Sequence, residues 1–218
     1  MADSDQDKAK TSLREKAAYP VGYMFGVTFL AAAVLIGLVR FTDERVQANR
    51  RILFERAVLE SVGLASHATP RSEVHRLFVD NMEPPEGDGV RAYRYVKDGS
   101  LQAYALPISG QGFWNTISGV IGVEPDGKTV VGISFYEQSE TPGLGAEIVK
   151  PEFRDQFEGK RLAGQAPYLE LRSVGSELDA SSVHAITGAT QTCTRLEAFL
   201  NEALSQWQKL SRLRGGAT

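Results

Sequence analysis

Cysteine and histidine are scarce in this chain. Its 218 residues include one cysteine and three histidines. A single cysteine excludes an internal disulfide, and it excludes an iron–sulfur cluster or a zinc site built from cysteines of this chain. The scattered histidines His67, His75 and His184 leave few ligands for a metal centre. The sequence therefore predicts no metal site.

The chain also lacks a charge excess. Lysine and arginine number 24 against 27 acidic residues, which gives a formal net charge of −3. A nucleic-acid-binding protein would concentrate basic residues on one face, so the sequence predicts no nucleic-acid partner. It contains neither the glycine-rich fingerprint of a dinucleotide-binding fold nor a nucleotide P-loop, and it shows no internal repeat.

One long apolar run is present near the N-terminus. Residues 17–39 read AAYPVGYMFGVTFLAAAVLIGLV and carry no charge. As a helix with ~1.5 Å rise per residue the run is about 34 Å long, enough to cross a hydrocarbon core of about 30 Å. A cleaved secretory signal has a shorter apolar core, and a buried helix of a soluble protein rarely lacks polar residues on every face. We therefore predict a single transmembrane helix in the lipid bilayer, whose topology the basic residues on both sides leave open.

The rest of the chain divides into a charged helix and a soluble domain. Residues 1–16 form a polar N-terminal tail, and residues 40–63 are predicted to form a membrane-proximal helix that ends at Gly63. Residues 64–212 are numerous enough to bury a core of their own. Residues 213–218 are a C-terminal tail.

Turn residues and apolar alternation predict the elements of this domain. Two hairpins join residues 91–96 to 101–108 and 119–124 to 128–136, and further predictions are a loop over 82–89, a short helix over 151–159 and a strand over 168–172. A final helix carries an apolar stripe from Leu196 to Leu210 and a capping box at Thr194–Glu197. Strands with peripheral helices, without strict alternation, predict an α+β fold with an antiparallel sheet.

The stretch before the final helix has the composition of a phosphate cradle. It reads HAITGATQTCT from His184 to Thr194, with three hydroxyls between Thr187 and Thr192. Small residues allow backbone N–H groups to approach an anion, and a helix N-terminus places partial positive charge there. A hydroxyl in such a cradle can also carry a phosphoester. An ordinary helix cap with a glycine turn would have the same sequence pattern.

Two glycine-containing stretches precede the cradle. Ser139–Gly145 (SETPGLG) follows an apolar strand, and its Pro-Gly pair predicts a tight turn in a loop that can lie flat against a planar group. A simple strand-ending turn would have the same pattern. In the second stretch, Gly112-Phe113-Trp114, aromatic residues at the start of a strand are typical of core packing.

In this order the motifs resemble a known family. An apolar anchor, GFWNTISGVIGV at Gly112–Val123, SETPGLG at Ser139–Gly145 and ITGATQT at Ile186–Thr192 are similar to the FMN-binding subunits of bacterial respiratory ion pumps. These are the NqrC-type subunit of the Na+-translocating NADH:quinone oxidoreductase (Nqr) and the RnfG-type subunit of the related Rnf complex. The resemblance covers about residues 17–210 and does not separate the two complexes.

The resemblance implies a covalent flavin. In the family a dedicated flavin transferase joins the FMN phosphate to the last threonine of the Thr/Ser-Gly-Ala-Thr motif, here Thr190, and the local sequence leaves Thr192 as a second candidate. The implied cofactor-binding residues are Thr187, Gly188, Ala189, Thr190 and Thr192 in the motif, and Glu140, Thr141, Gly143, Leu144 and Gly145 in the loop against the isoalloxazine ring. The domain is expected on the outer, periplasmic side of the bacterial inner membrane.

Two positions depart from the family pattern. Aspartate is usual three residues before the first threonine or serine of the motif, where this chain has His184. Because the transferase reads that stretch, His184 bears on the efficiency of attachment. Cys193 stands where serine or another small residue is expected, and the sequence favours a packed thiol over a reactive one.

The expected function is electron relay. The chain is predicted to be a membrane-anchored flavoprotein subunit of an ion-translocating oxidoreductase of the Nqr or Rnf type, with the NADH and quinone sites on partner membrane subunits. It is therefore expected not to be a complete enzyme and to have no catalytic residues of its own. Two alternatives stay open: an anchored non-redox module for assembly or ligand binding, and the same fold with FMN bound non-covalently.

Overall fold

Four helices and seven strands make up the part of the chain that a computed structural model describes, which is residues 3–85 and 91–215, with side chains for 19–85 and 91–209. In chain order they are α1 (Asp3–Ser61), α2 (Arg71–Asn81), β1 (Met82–Glu83), β2 (Tyr93–Lys97), β3 (Ser100–Gln111), β4 (Thr116–Val123), β5 (Val130–Glu137), α3 (Pro151–Arg154), β6 (Glu170–Arg172), β7 (Ser182–His184) and α4 (Thr190–Gly215). Strands β1 to β5 form one antiparallel sheet in chain order, and β6 pairs with β7 in parallel. The predicted α+β class is confirmed.

The first of two compact units comprises residues 1–49, and the second residues 50–218. In the first unit α1 is continuous and includes Pro20. Every described side chain from Tyr19 to Asn49 is exposed. By length and composition the helix from Tyr19 onward can cross a membrane. Exposed apolar side chains over such a length are unfavourable in water, so this helix needs an apolar environment.

In the second unit, α1 ends at Ser61, two residues before Gly63, the glycine at which the sequence predicts its end. Gly63 has a φ of 74°. Its N–H donates to the carbonyl of Glu60 (3.1 Å), and the N–H of Leu64 donates to the carbonyl of Leu59 (2.9 Å). These two bonds form a Schellman motif, which satisfies carbonyls that the helix itself leaves free.

The two predicted hairpins are confirmed. The first joins β2 to β3 through Asp98 and Gly99, which both have positive φ, as a tight type I′ turn requires. The second joins β4 to β5, and Asp126 in its turn accepts the backbone N–H groups of Lys128 and Thr129. Each of these turns therefore places its two consecutive strands side by side in the sheet.

Both faces of the five-stranded sheet are covered. Helix α4, α3 and the β6–β7 pair cover one face, which includes Leu106, Ile108 and Ile121. The last turns of α1 and helix α2 cover the other face, which includes Ala105 and Val120. Because successive residues of a strand point to opposite faces, β4 is buried on both sides. The N-terminus of α4 lies next to the loop that follows β5, where Thr192 is hydrogen-bonded to Glu140.

Two local predictions are wrong. The capping box at Thr194–Glu197 does not start the final helix, because α4 begins at Thr190. The Glu197 carboxylate instead accepts the N–H of Leu171 (2.7 Å). The stretch 82–89 is not all loop, because Met82 and Glu83 pair with β2, while residues 86–90 lie outside the described part of the chain.

The remaining elements agree more closely with the sequence. Helix α3 begins with Pro151 and continues into a short 3₁₀ turn, as the predicted helix over 151–159 requires. The predicted strand over 168–172 is confirmed for Glu170–Arg172. Strand β7 was not predicted. Within the apolar stripe of α4, Leu196, Leu200 and Leu204 are fully inaccessible, while the side chain of Leu210 lies outside the described residues.

Candidate functional site

The threonine-rich motif forms a turn that leads directly into α4. The N–H of Ala189 donates to the carbonyl of Ile186 (3.1 Å), and Gly188, with a φ of 78°, takes a conformation that other residues rarely adopt. The N–H of Cys193 donates to the carbonyl of Ala189 (3.0 Å) and closes the first helical turn. The N–H groups of residues 190–192 precede that bond and have no acceptor within the helix. They can bind an anion.

A cleft of about 360 Å³ lies beside this first turn. Its lining includes Thr187, Gly188 and Thr190 from the motif, Leu171 from β6 and Val174 from the loop that follows β6. Thr187, Gly188 and Thr190 are exposed. Among the described residues that line the cleft there is no lysine or arginine. The lining also includes the acidic Glu197, so among the described lining residues the helix N-terminus is the source of positive charge.

Cys193 is a packed residue. It is 3% exposed, and its sulfur accepts the N–H of Ile186 (3.3 Å). Burial raises the pKa of the thiol, which lowers the fraction of reactive thiolate. The structure thus agrees with the packed role that the sequence favours.

Thr192 differs from Thr190 in its surroundings. It is 4% exposed, and its hydroxyl donates to Oε2 of Glu140 (2.5 Å), 52 residues earlier in the chain. Glu140 is itself 5% exposed, and its Oε1 accepts the backbone N–H of Trp114 (3.1 Å). Of the two candidate residues, Thr190 is exposed and Thr192 is buried.

The loop Ser139–Gly145 lies against the motif. A Cβ on Gly145 would collide with Oγ1 of Thr192 and lie 2.9 Å from Oε2 of Glu140. The side chain of Leu144 lies 3.0 Å from the place that a Cβ on Gly188 would take. The two stretches that the sequence singled out are therefore in contact, and a residue larger than glycine at position 145 would separate them.

A tight turn shapes the tip of this loop. The N–H of Leu144 donates to the carbonyl of Thr141 (3.1 Å), and Gly143 between them has a φ of 76°. Pro142 precedes that glycine, so the turn has the residues that type II geometry requires. Residues 141–144 are exposed. The tip therefore presents a surface to solvent beside the motif.

The aromatic pair Phe113 and Trp114 is exposed, so the prediction of core packing is wrong here. Trp114 is 64% exposed, and its indole N–H donates to Oγ1 of Thr141 (3.0 Å). The two rings meet edge to face with centroids 4.9 Å apart. Sequence reasoning left both residues out of the site, and an aromatic pair flanked by glycine before a strand was the available indication. Exposed aromatic surface is typical of a binding site.

His184 lies on the far side of the motif. It ends β7, and its backbone is held by the side-chain amide of Gln156, which accepts its N–H (2.8 Å). Its Nδ1 is buried, and no hydrogen-bond partner for it lies among the described residues. His184 faces a separate cleft that Lys150 and Glu152 also line.

Comparison with known proteins gives the same assignment as the motifs. Residues 112–205 match the family model described as FMN-binding domain. The chain is 36% identical over 129 residues to the NqrC-type subunit of the Na(+)-translocating NADH-quinone reductase of Chlamydia pneumoniae, covering 51% of this chain and 40% of that one. The corresponding subunit of Vibrio vulnificus is 40% identical over 94 residues, covering 43% and 37%. The chain thus spans about two fifths of the length of these curated relatives.

Solved structures agree with the sequence relatives. The crystal structure of the corresponding subunit from Parabacteroides distasonis has a TM-score of 0.65 and 26% identity, covering 75% of this chain and 94% of that one. The NqrC structure from Shewanella oneidensis has a TM-score of 0.59 at 21% identity, covers 74% and 99%, and supports the fold alone. All three loops of the site lie within residues 112–205. This part of the chain matches the FMN-binding domain model and is similar to NqrC of the Na(+)-translocating NADH-quinone reductase, as the resemblance of the motifs predicts.

Proposed function

We propose that this chain is a membrane-anchored flavoprotein subunit that carries FMN on Thr190 and relays electrons within a respiratory ion-translocating complex. One observation carries the proposal above the others. Thr190 is an exposed residue that lines a cleft at the N-terminus of a long helix, while the neighbouring Thr192 is buried and its hydroxyl is bonded to Glu140. When bound, FMN supplies one-electron redox chemistry, and the protein supplies its place and surroundings.

The electrostatics of the cleft favour an ester over a free phosphate. A phosphate monoester carries a charge of about −1.5 to −2 at neutral pH, whereas a diester on Thr190 would carry about −1. A helix N-terminus offers about half a positive charge, and the described residues that line the cleft add no basic side chain. The smaller anionic charge matches this potential better. This supports covalent attachment over the alternative of FMN held by non-covalent contacts.

Attachment would form one bond and break one. Oγ1 of Thr190 bonds to the flavin-side phosphorus of a flavin dinucleotide, the bond to the nucleotide phosphate breaks, and the hydroxyl proton leaves with the released nucleoside monophosphate. No electrons are transferred. We assign the donor and the catalytic groups to a flavin transferase, because this chain contributes only the hydroxyl and the N–H groups of the first helical turn.

The exposed surface next to the motif suits a planar ring. Trp114 and Phe113 present aromatic faces, and Leu144 presents an apolar side chain that is 42% exposed. The bond from the indole to Thr141 fixes the tryptophan on the loop tip. Stacking on these side chains would cover apolar surface and exclude water from the ring. Of the residues that the motif implies, the exposed ones would then line the cofactor, namely Thr141, Gly143, Leu144, Thr187 and Gly188, with the buried Glu140, Gly145 and Ala189 behind them.

The anchor and the partners complete the proposal. The exposed apolar side chains of α1 fit a lipid bilayer, and the relatives named above are subunits of a Na(+)-translocating NADH-quinone reductase. We infer a single-pass protein of the bacterial inner membrane, with its second unit on the outer, periplasmic side and other membrane subunits as partners. NADH and quinone would be handled by those partners.

Mass spectrometry of the full chain tests the proposal directly. Co-expressed with a flavin transferase, the chain should gain the mass of one FMN less water and fluoresce as flavin in a denaturing gel. Thr190→Val should abolish both, and Ser205→Ala, on the same helix but outside the cleft, should retain both. Acid precipitation that releases all the flavin would establish non-covalent binding instead. A bare polypeptide mass without any flavin would favour the anchored non-redox module.

A further inference from the structure

One carboxylate connects the three loops of the site. Glu140 lies in the loop after β5, and its Oε1 accepts the backbone N–H of Trp114 (3.1 Å) from the β3–β4 connection. Its Oε2 accepts the hydroxyl of Thr192 (2.5 Å) from the first turn of α4. A single side chain therefore holds both neighbouring segments against its own loop.

Burial of the Glu140 carboxylate is energetically unfavourable. Glu140 is 5% exposed, and among the described side chains no cation lies within salt-bridge distance of it. Burying a carboxylate with neutral donors alone costs free energy that an apolar residue of similar size would not cost. Position 145 must be glycine for Oε2 of Glu140 to fit, because a Cβ there would lie 2.9 Å from that oxygen. Two positions are thus shaped around one charged group.

We infer that Glu140 is a positioning residue for flavin attachment, which withholds the Thr192 hydroxyl and fixes the first turn of α4 so that Thr190 alone is presented. The inference rests on the proposed function and adds a residue that determines which threonine receives the flavin. A hydroxyl that donates to a buried carboxylate and is 4% exposed is closed to a transferase. Two residues earlier, Thr190 is an exposed residue that lines the cleft.

The first arm of the test asks whether Thr192 is withheld. The full chain and its Thr190→Ala variant are co-expressed with a flavin transferase, and FMN is located by peptide mass mapping. We expect FMN on Thr190 in the parent chain and on neither threonine in the variant. FMN on Thr192 in Thr190→Ala would overturn the inference and leave the flavoprotein function intact. A parent chain without FMN would instead overturn the proposed function.

The second arm asks whether Glu140 positions Thr190. The rate of attachment to the purified flavin-free full chain in detergent is measured with transferase and flavin adenine dinucleotide. Glu140→Ala and Thr192→Val should slow attachment about tenfold or more, since a misplacement of about 1 Å can cost about 10²-fold. Glu140→Gln and Thr192→Ser should stay within about threefold of the parent. Serine keeps the donating hydroxyl, and a glutamine amide can accept the N–H of Trp114 through its oxygen and donate to the Thr192 hydroxyl through its nitrogen.

A matched control separates positioning from general loss of stability. Asn201, further along α4, accepts the N–H groups of Tyr168 and Leu169, so Asn201→Ala destabilises the same helix without touching the site. We expect Asn201→Ala to be flavinylated at the parental rate. Parental rates for Glu140→Ala and Thr192→Val would overturn the inference. So would an Asn201→Ala variant that loses as much rate as Glu140→Ala at equal loss of stability.

Discussion

Two buried carboxylates of the second unit have partners of different kinds. Glu55, in α1, is 2% exposed and accepts Nε of Arg51 (2.9 Å) and Nδ1 of His75 (3.0 Å). Glu140, beside the motif, accepts a threonine hydroxyl and a backbone N–H. One acid is held by side chains that can carry positive charge and the other by neutral groups.

The different partners indicate different roles for Glu55 and Glu140. The partners of Glu55 are largely exposed, and His75 comes from α2, so this cluster joins α2 to the end of α1. Charge compensation makes such a pair tolerable in the interior. Glu140 has only neutral donors, and such an arrangement is expected where geometry matters more than stability. The comparison therefore associates Glu55 with folding and Glu140 with the site.

The largest expected effect comes from removing both donors of Glu55. Arg51→Ala combined with His75→Ala leaves a buried carboxylate without compensation and should lower the free energy of unfolding by about 3–5 kcal/mol. Urea unfolding of the full chain in detergent, followed by tryptophan fluorescence, measures the loss. Adding Glu55→Met should restore most of it. A double variant within about 1 kcal/mol of the parent would remove the contrast with Glu140.

A smaller effect is expected at Glu140 itself. Thr192→Val removes one of its two donors and leaves the N–H of Trp114, so the free energy of unfolding should fall by about 1–3 kcal/mol. Thr192→Ser keeps the hydroxyl and should lie close to the parent in the same measurement. Equal stabilities for the two variants would show that the short contact contributes nothing to folding.

The smallest effect belongs to an exposed acid. The N–H and hydroxyl of Ser181 and the guanidinium of Arg172 hold the pKa of Asp179 well below its ordinary value of 3.8. A carboxyl group whose pKa is lower in the folded state than in the unfolded state stabilises the folded protein. This stabilisation is complete at pH values above the unfolded-state pKa and is lost as the pH falls through the folded-state pKa. The Tm gap between the parent and Asp179→Asn should thus be constant above about pH 5 and shrink below about pH 4. A gap that is unchanged down to about pH 2 would contradict this account.

Local chemistry made much of the fold predictable. Asp98-Gly99 requires a tight hairpin turn, Gly63 a helix end, and the spacing from Leu196 to Leu210 an amphipathic helix, because each depends on residues close in sequence. The same holds for the Pro142-Gly143 turn. Short elements fared worse. A three-residue parallel strand such as β7 is defined by its partner and not by its own composition.

The site was predictable in its parts and not in its connections. The motif stretches were recognisable, but the bond between Glu140 and Thr192 joins residues 52 positions apart and has no local indication. The exposure of Trp114 depends on whether another part of the fold packs against its side chain. The periodicity of the local sequence does not contain that information. The apparent capping box failed because Thr194 and Glu197 suit a helix start, while the turn at Gly188 starts the helix four residues earlier than Thr194.

The described lining of the cleft has no lysine or arginine, which matters for how the cofactor would respond to salt. A cofactor held by lysine or arginine would be released more readily as ionic strength rises, because salt screens such pairs over about 8–10 Å. A cofactor joined to Thr190 through an ester has no such ion pair to lose. If FMN is joined to Thr190 as we propose, the flavin would stay attached at low and at high salt concentration alike.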